Sequence, residues 1–209
     1  MSRSVFSVIA VLLLAWLLLL GILAGRGFFS DFSRLPPRLI IPLLTPLPAV
    51  LLFMRSKSGK QFLQSISPQS VIYLQSFRIL VEIALWLGVR NGLLPVQMSF
   101  EGRNFDILVG LFALPVGYYC FVKKSWPPFV ALLYNIGGLI LLLNIVTITA
   151  LSLPTPLRVF HNQPDSSLVT TFPFIYLPGL LVPLAYTLHI ISIQQWKMLR
   201  ASPAKRILA

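Results

Sequence analysis

Between Val5 and Ala24 the chain runs 20 residues without a charge, and comparable apolar stretches recur along its length. An α-helix rises 1.5 Å per residue, so a hydrocarbon layer about 30 Å thick takes about 20 apolar residues to cross. Candidate crossings fall at about 5–25, 39–54, 69–90, 104–122, 128–150 and 173–196. Only 11% of the residues are charged, against roughly 25% in soluble domains. The pattern therefore predicts an all-α fold, a polytopic transmembrane helical bundle of about six helices. No internal repeat, low-complexity tail or long linker divides it, so residues 1–209 are expected to form one membrane-embedded domain.

Two of the six need comment. The first run exceeds the roughly 7–15 residues of a secretory h-region, and no A-x-A-like site follows, so a retained helix is expected. Its GILAG stretch at 21–25 suits close helix approach. The second run is short, and Pro36, Pro37, Pro42, Pro46 and Pro48 crowd into it and before it. Interior prolines remove backbone hydrogen bonds and kink a helix, so a broken span or a re-entrant segment is expected there.

Lysine and arginine set orientation. With six crossings and an inner N-terminus, the inner side holds Arg3, Arg55, Lys57, Lys60, Lys123, Lys124, Lys197, Arg200, Lys205 and Arg206. The outer side holds Arg26, Arg34, Arg38, Arg90, Arg103 and Arg158. If 39–54 does not cross, Arg3 moves out and Arg26, Arg34 and Arg38 move in, which sharpens the asymmetry. Both topologies leave the C-terminus cytoplasmic and the 91–103 and 151–172 loops outside. The side of the N-terminus stays open.

A net charge of +12 would suggest nucleic acid in a soluble protein. Here the basic residues sit in short clusters between apolar runs, with no basic stripe interleaved with aromatics, so no nucleic-acid partner is expected. Cys120 is the only cysteine, which rules out an internal disulfide. No zinc-type spacing occurs, and neither metal nor cofactor is expected.

Charges inside the apolar runs are the sharpest functional signal. At 100° per residue, Gln75, Arg78, Glu82 and Trp86 share one side of the third helix. Intramembrane charges cost roughly 2.5–3.5 kcal/mol each on insertion scales, so this side should face the bundle interior. The simplest arrangement pairs Arg78 with Glu82 one turn away, as packing or as part of a ligand site. By depth, Asn144 falls near Glu82, while Asn135 falls near His189. Nine residues separate the two asparagines, so they should meet different neighbours.

A second cluster gathers on the outer loops. In FEGRNFDILVG, Asn104 suits a helix N-cap and Asp106 the positive end of the helix dipole. Arg103 is badly placed at a helix N-terminus, so Glu101 or Asp106 is expected to pair with it. PTPLRVFHNQPD adds Arg158, His161 and Asp165 on the same side. The acids and His161 match no metal signature, and Ser166 or Ser167 beside them lacks a GxSxG elbow.

FRILVEIALWL, FEGRNFDILVG, LLLNIVTITALSLPTPLRVFHNQPD and FPFIYLPGLLVPLAYTLH resemble stretches of a family of small bacterial integral membrane proteins. The resemblance spans roughly residues 70–195 and implies a multi-pass protein of the bacterial inner membrane. It carries over no activity and no functional residue.

The residues support first a small binding or transport protein with an outward-facing polar mouth leading to Arg78 and Glu82. Proline-broken helices, here 39–54 and 173–196, are frequent in transporters. Its candidate ligand-binding residues are Gln75, Arg78, Glu82, Trp86, Glu101, Arg103, Asp106, Asn144, Arg158, His161 and Asp165. Two other classes stay open: a membrane-embedded enzyme acting on lipid or isoprenoid substrates, and a non-catalytic accessory or scaffold subunit. No catalytic residue is assigned, and the enzyme question leans to no. The expected partners are the lipid bilayer and a small polar or lipid ligand, with self-assembly or a larger membrane complex left open.

Overall fold

The computed structural model describes residues 3–201. Lys205 and Arg206 of the orientation argument lie outside them. The described chain is helical, with no strand. In order come α1 (Arg3–Gly25), α2 (Ile40–Leu44), α3 (Pro46–Arg55), α4 (Lys57–Ser65), α5 (Pro68–Leu74), α6 (Phe77–Arg90), α7 (Ile107–Gly117), α8 (Pro128–Ser152) and α9 (Val182–Ala201).

Among the described residues, three stretches are long and apolar enough to cross a membrane: Pro68–Arg90, formed by α5 and α6 in succession, Pro128–Ser152, and Leu177–Arg200. Side chains such as Val11, Leu12, Leu18, Leu80, Leu111, Phe112, Ile140 and Leu143 face outward from several of the helices. So much exposed apolar surface suits hydrocarbon rather than water. Inside, α8 and α9 pack along each other, with α5 and α7 against them and α6 against α7. Leu20, Phe29, Leu85, Met98, Ile148 and Ile175 belong to the main core.

The second candidate crossing is more broken than expected. Thr45 separates α2 from α3, and α4 then leaves the α2–α3 line at 87°. The turn is built by Ser56, whose Oγ accepts from the Gly59 amide at 3.0 Å and caps the new helix. Gln195 of α9 holds the far end, its Nε2 donating to the carbonyls of Leu63 and Ile66. Lys57 and Lys60, placed above between apolar runs, thus sit on a short helix.

The fourth candidate crossing is shortened. Helix starts at Ile107 rather than 104 and continues past Pro115 as a wide π turn over Tyr118–Val122. Its 16 residues rise about 24 Å, short of the hydrocarbon thickness. Residues 91–106 supply the difference by folding inward, with Gln97, Met98, Ser99 and Asn104 all buried. Irregular backbone is tolerated at such depth only where protein satisfies its polar groups. Here the Leu93 amide donates to Gly88 O, Gly102 to Ser99 O and Asn104 to Ser99 O. Gln97 adds side-chain bonds to Ser152 Oγ at 2.9 Å and to Asn162. The segment between α6 and α7 is thus irregular backbone buried against the bundle.

Between α1 and α2, Arg38 pairs with Asp31 at 2.9 Å and covers the Phe28 ring. Hydrogen bonds from the Ser33 hydroxyl and amide, then the Arg38 charge, hold the Asp31 carboxyl below the ordinary carboxylate range. This cluster fixes the chain leading into Leu35–Ile40, which forms one wall of the site.

Candidate functional site

The site forms where α5 gives way to α6. At this join, Arg78 N donates to Gln75 O and Ile79 N to Ser76 O, a tightened turn that interrupts the regular ladder. Gln75, Arg78 and Glu82 all face inward, each 2% exposed or less. Their burial follows from the 100° spacing. Their partners do not.

Arg78 pairs with Asp106, not with Glu82. Its Nε donates to Asp106 Oδ2 at 2.6 Å and its Nη2 to Oδ1, a two-pronged contact. No Arg78–Glu82 ion pair forms within 4.0 Å. Two physical reasons account for the correction. Arginine N-terminal to glutamate is the weaker order for a one-turn pair. In addition, the inward fold of 91–106 delivers Asp106 to the guanidinium in the geometry that carboxylates and arginine favour. Gly110, one turn into α7, permits this approach: a Cβ there would stand 3.0 Å from Ile79 N of α6.

Glu82 takes Asn104 instead, whose Nδ2 donates to Oε1 at 2.5 Å and also to Met98 O. Asn104 Oδ1 accepts from the Asp106 amide, so Asn104 serves as an Asx turn ahead of the helix and not as its cap. Glu82 Oε2 has no hydrogen-bond partner among the described residues.

On the other side of Arg78, Nη1 lies 2.9 Å from His189 Nε2. Arginine only donates, so Nε2 accepts and the ring proton sits on Nδ1. Nδ1 then donates to Asn135 Oδ1 at 2.8 Å. The Asn135 amide gives its two hydrogens to Ser192 Oγ and Ala131 O. His189 fits because α8 presents Gly138: a Cβ there would fall 2.6 Å from Nε2.

A cavity of about 560 Å³ opens onto this centre. Leu35–Leu39, α2, α8 and the start of α9 wall it, with Leu142, Ile145, Val146, Leu181 and Ala185 among the lining side chains. Arg78, Glu82 and Asp106 form its charged end, and Thr149 is the other polar residue on the lining.

The remaining sequence candidates lie elsewhere. Gln75 is adjacent and buried, donating to Ala185 O at 3.3 Å. Trp86 stacks on Phe100, with Arg90 over its ring. Glu101 pairs with Arg90 at 3.1 Å. Arg103 therefore meets neither expected acid: its guanidinium covers the Phe160 ring and its carbonyl accepts from Asn144 Nδ2. With both acids engaged by other arginines, the helix-dipole argument had no free partner to act through. Arg158 bonds back to the carbonyls of Phe160 and Asn162, Asp165 accepts from the Ser167 amide, and His161 is exposed. None of Glu101, Arg103, Asn144, Arg158, His161 and Asp165 lines the cavity. Asn104 and Ser192, absent from the candidate set, belong to the polar centre.

No family model, curated protein or solved structure matches the chain.

Proposed function

We propose that this is a multi-pass membrane protein, of the binding or transport class, that holds a small amphipathic molecule in the cavity ending at Arg78, Glu82 and Asp106. One observation carries the reading: an apolar chamber of ligand size terminates on a buried charged centre whose Glu82 Oε2 is unpartnered. Apolar walls suit a hydrocarbon body, and the charged end suits a single polar head. The entrance is proposed among the apolar walls, since the outer-loop polar residues do not line the chamber. A scaffold would be better served by a fully paired interior. Chemistry on the ligand is less well supported, because Arg78 engages both oxygens of Asp106 and leaves Glu82 without a second free acid.

Protein purified in mild detergent should carry a stoichiometric amphiphile, identifiable by mass spectrometry after organic extraction. Exchange into a second detergent should remove it and lower Tm, and adding the extracted molecule should restore Tm. A native preparation with an empty chamber and a Tm indifferent to the extract would overturn the reading.

The bilayer proposed is a bacterial inner membrane, with the C-terminus cytoplasmic. Arg55, Lys57 and Lys60, then Lys123 and Lys124, then Lys197 and Arg200 mark the cytoplasmic side by the positive-inside rule. A C-terminal alkaline phosphatase fusion should be inactive and a C-terminal green fluorescent protein fusion bright. The reverse pair of results would invert the topology.

A further inference from the structure

The cavity's polar end has an asymmetric set of hydrogen-bonding groups. Arg78 Nε and Nη2 are committed to Asp106, and Nη1 to His189. Both Asp106 oxygens are taken by Arg78. Asn104 occupies Glu82 Oε1. Among the three charged residues of the lining, the oxygen without a hydrogen-bond partner is Glu82 Oε2, itself buried on a residue 1% exposed. The groups are equally one-sided in number, with one guanidinium beside two carboxyls.

Resting on the amphiphile reading above, we propose that the ligand's head is a hydrogen-bond donor seated on Glu82 Oε2, an ammonium in preference to a hydroxyl, and that anionic heads are rejected. An ammonium donates to the unpartnered oxygen and places a cation beside the second carboxyl in one contact. Bonds of this charge-assisted kind are roughly twice as strong as neutral ones. A hydroxyl supplies the bond without the charge. A carboxylate or phosphate would meet Glu82 with no free cation among the described lining residues, since the Arg78 guanidinium is held in both prongs by Asp106. Burying such a group unpaired is strongly unfavourable.

Four amphiphiles sharing one tail test this by native mass spectrometry of the full-length protein: dodecylammonium, dodecanol, dodecyl methyl ketone and dodecanoate. The expected order places the ammonium about tenfold above the alcohol, with ketone and carboxylate weaker still. Glu82→Gln keeps an acceptor and removes the charge, so it should erase the ammonium's advantage and leave dodecanol within about twofold. Val146→Trp, which fills the chamber from α8, should weaken all four together. If all four bind equally and Val146→Trp weakens them, the chamber binds tails and the head assignment is wrong. If Val146→Trp changes nothing, the amphiphile reading itself fails. Ketone or carboxylate binding as tightly as ammonium, in the wild type, also overturns the proposal. A lysophosphatidylethanolamine arm separates two sources of the amine. Binding level with dodecylammonium supports a membrane aminolipid, and weaker binding supports a phosphate-free amine.

Discussion

Asp106→Leu should destabilise the protein by about 3–5 kcal/mol, and adding Arg78→Leu to it should recover most of that loss. The single change leaves a guanidinium 2% exposed, with its two-pronged partner gone and apolar side chains along the adjoining cavity. Removing both charges replaces a buried ion pair with hydrocarbon, which is often neutral or favourable. Recovery should fall short by about 1 kcal/mol, because His189 Nε2 then loses the donor it faces. Glu82→Leu supplies the internal contrast. Its loss should add to that of Arg78→Leu without rescue, since Asn104 rather than Arg78 holds its carboxyl. Thermal unfolding of the singles and doubles in detergent measures both cycles. Rescue of Arg78→Leu by Glu82→Leu, and not by Asp106→Leu, would refute the pairing.

His189→Leu should cost about 2–3 kcal/mol. The substitution removes two hydrogen bonds at once and leaves an Arg78 N–H and Asn135 Oδ1 without partners in a 0% exposed position. Orphaned buried groups cost about 1–3 kcal/mol each, whereas interhelical bonds inside bilayers average nearer 0.6 kcal/mol. The upper part of the bilayer range applies here, because one of the two orphaned partners is a cation. Asn135→Leu in the same chain should cost less than in the wild type, as its main acceptor role is already gone. Urea-free unfolding by mixed SDS micelles gives the cycle. A loss below about 0.5 kcal/mol for His189→Leu would show that the histidine is a packing residue.

How far the site could be read from sequence depended on which elements were periodic. Gln75, Arg78 and Glu82 turned inward as their spacing required, because a helix leaves no choice of face once three costly residues share one. Asn135 and His189 met as their depths suggested, and Asn144 went to a different neighbour. Asp106 was assigned to the outer mouth because it follows a loop, and loops carry no period from which to infer depth. The inward path of 91–106 depends on buried Gln97 and Asn104 finding partners far away in sequence. The 87° turn at Ser56 had a local signal, a serine three residues before a glycine amide it could cap, but the search for apolar runs stopped at residue 54. Arg103 illustrates the opposite error. A sound electrostatic rule named two acids that other arginines had already engaged.

The hydrogen bonds leaving Arg78 through His189 and Asn135 to Ser192 all run in one direction. Each group therefore turns its electron-rich end toward the guanidinium: the ring nitrogen first, then the amide oxygen, then the hydroxyl oxygen. Three ordered dipoles stand where water molecules would line up around a dissolved cation. Unlike water, they are already oriented by the packing of α8 against α9 and lose no further freedom when the charge is present. Arg78 is in that sense hydrated by protein: the shell belongs to the helix pair, and any motion that separates α8 from α9 would strip it.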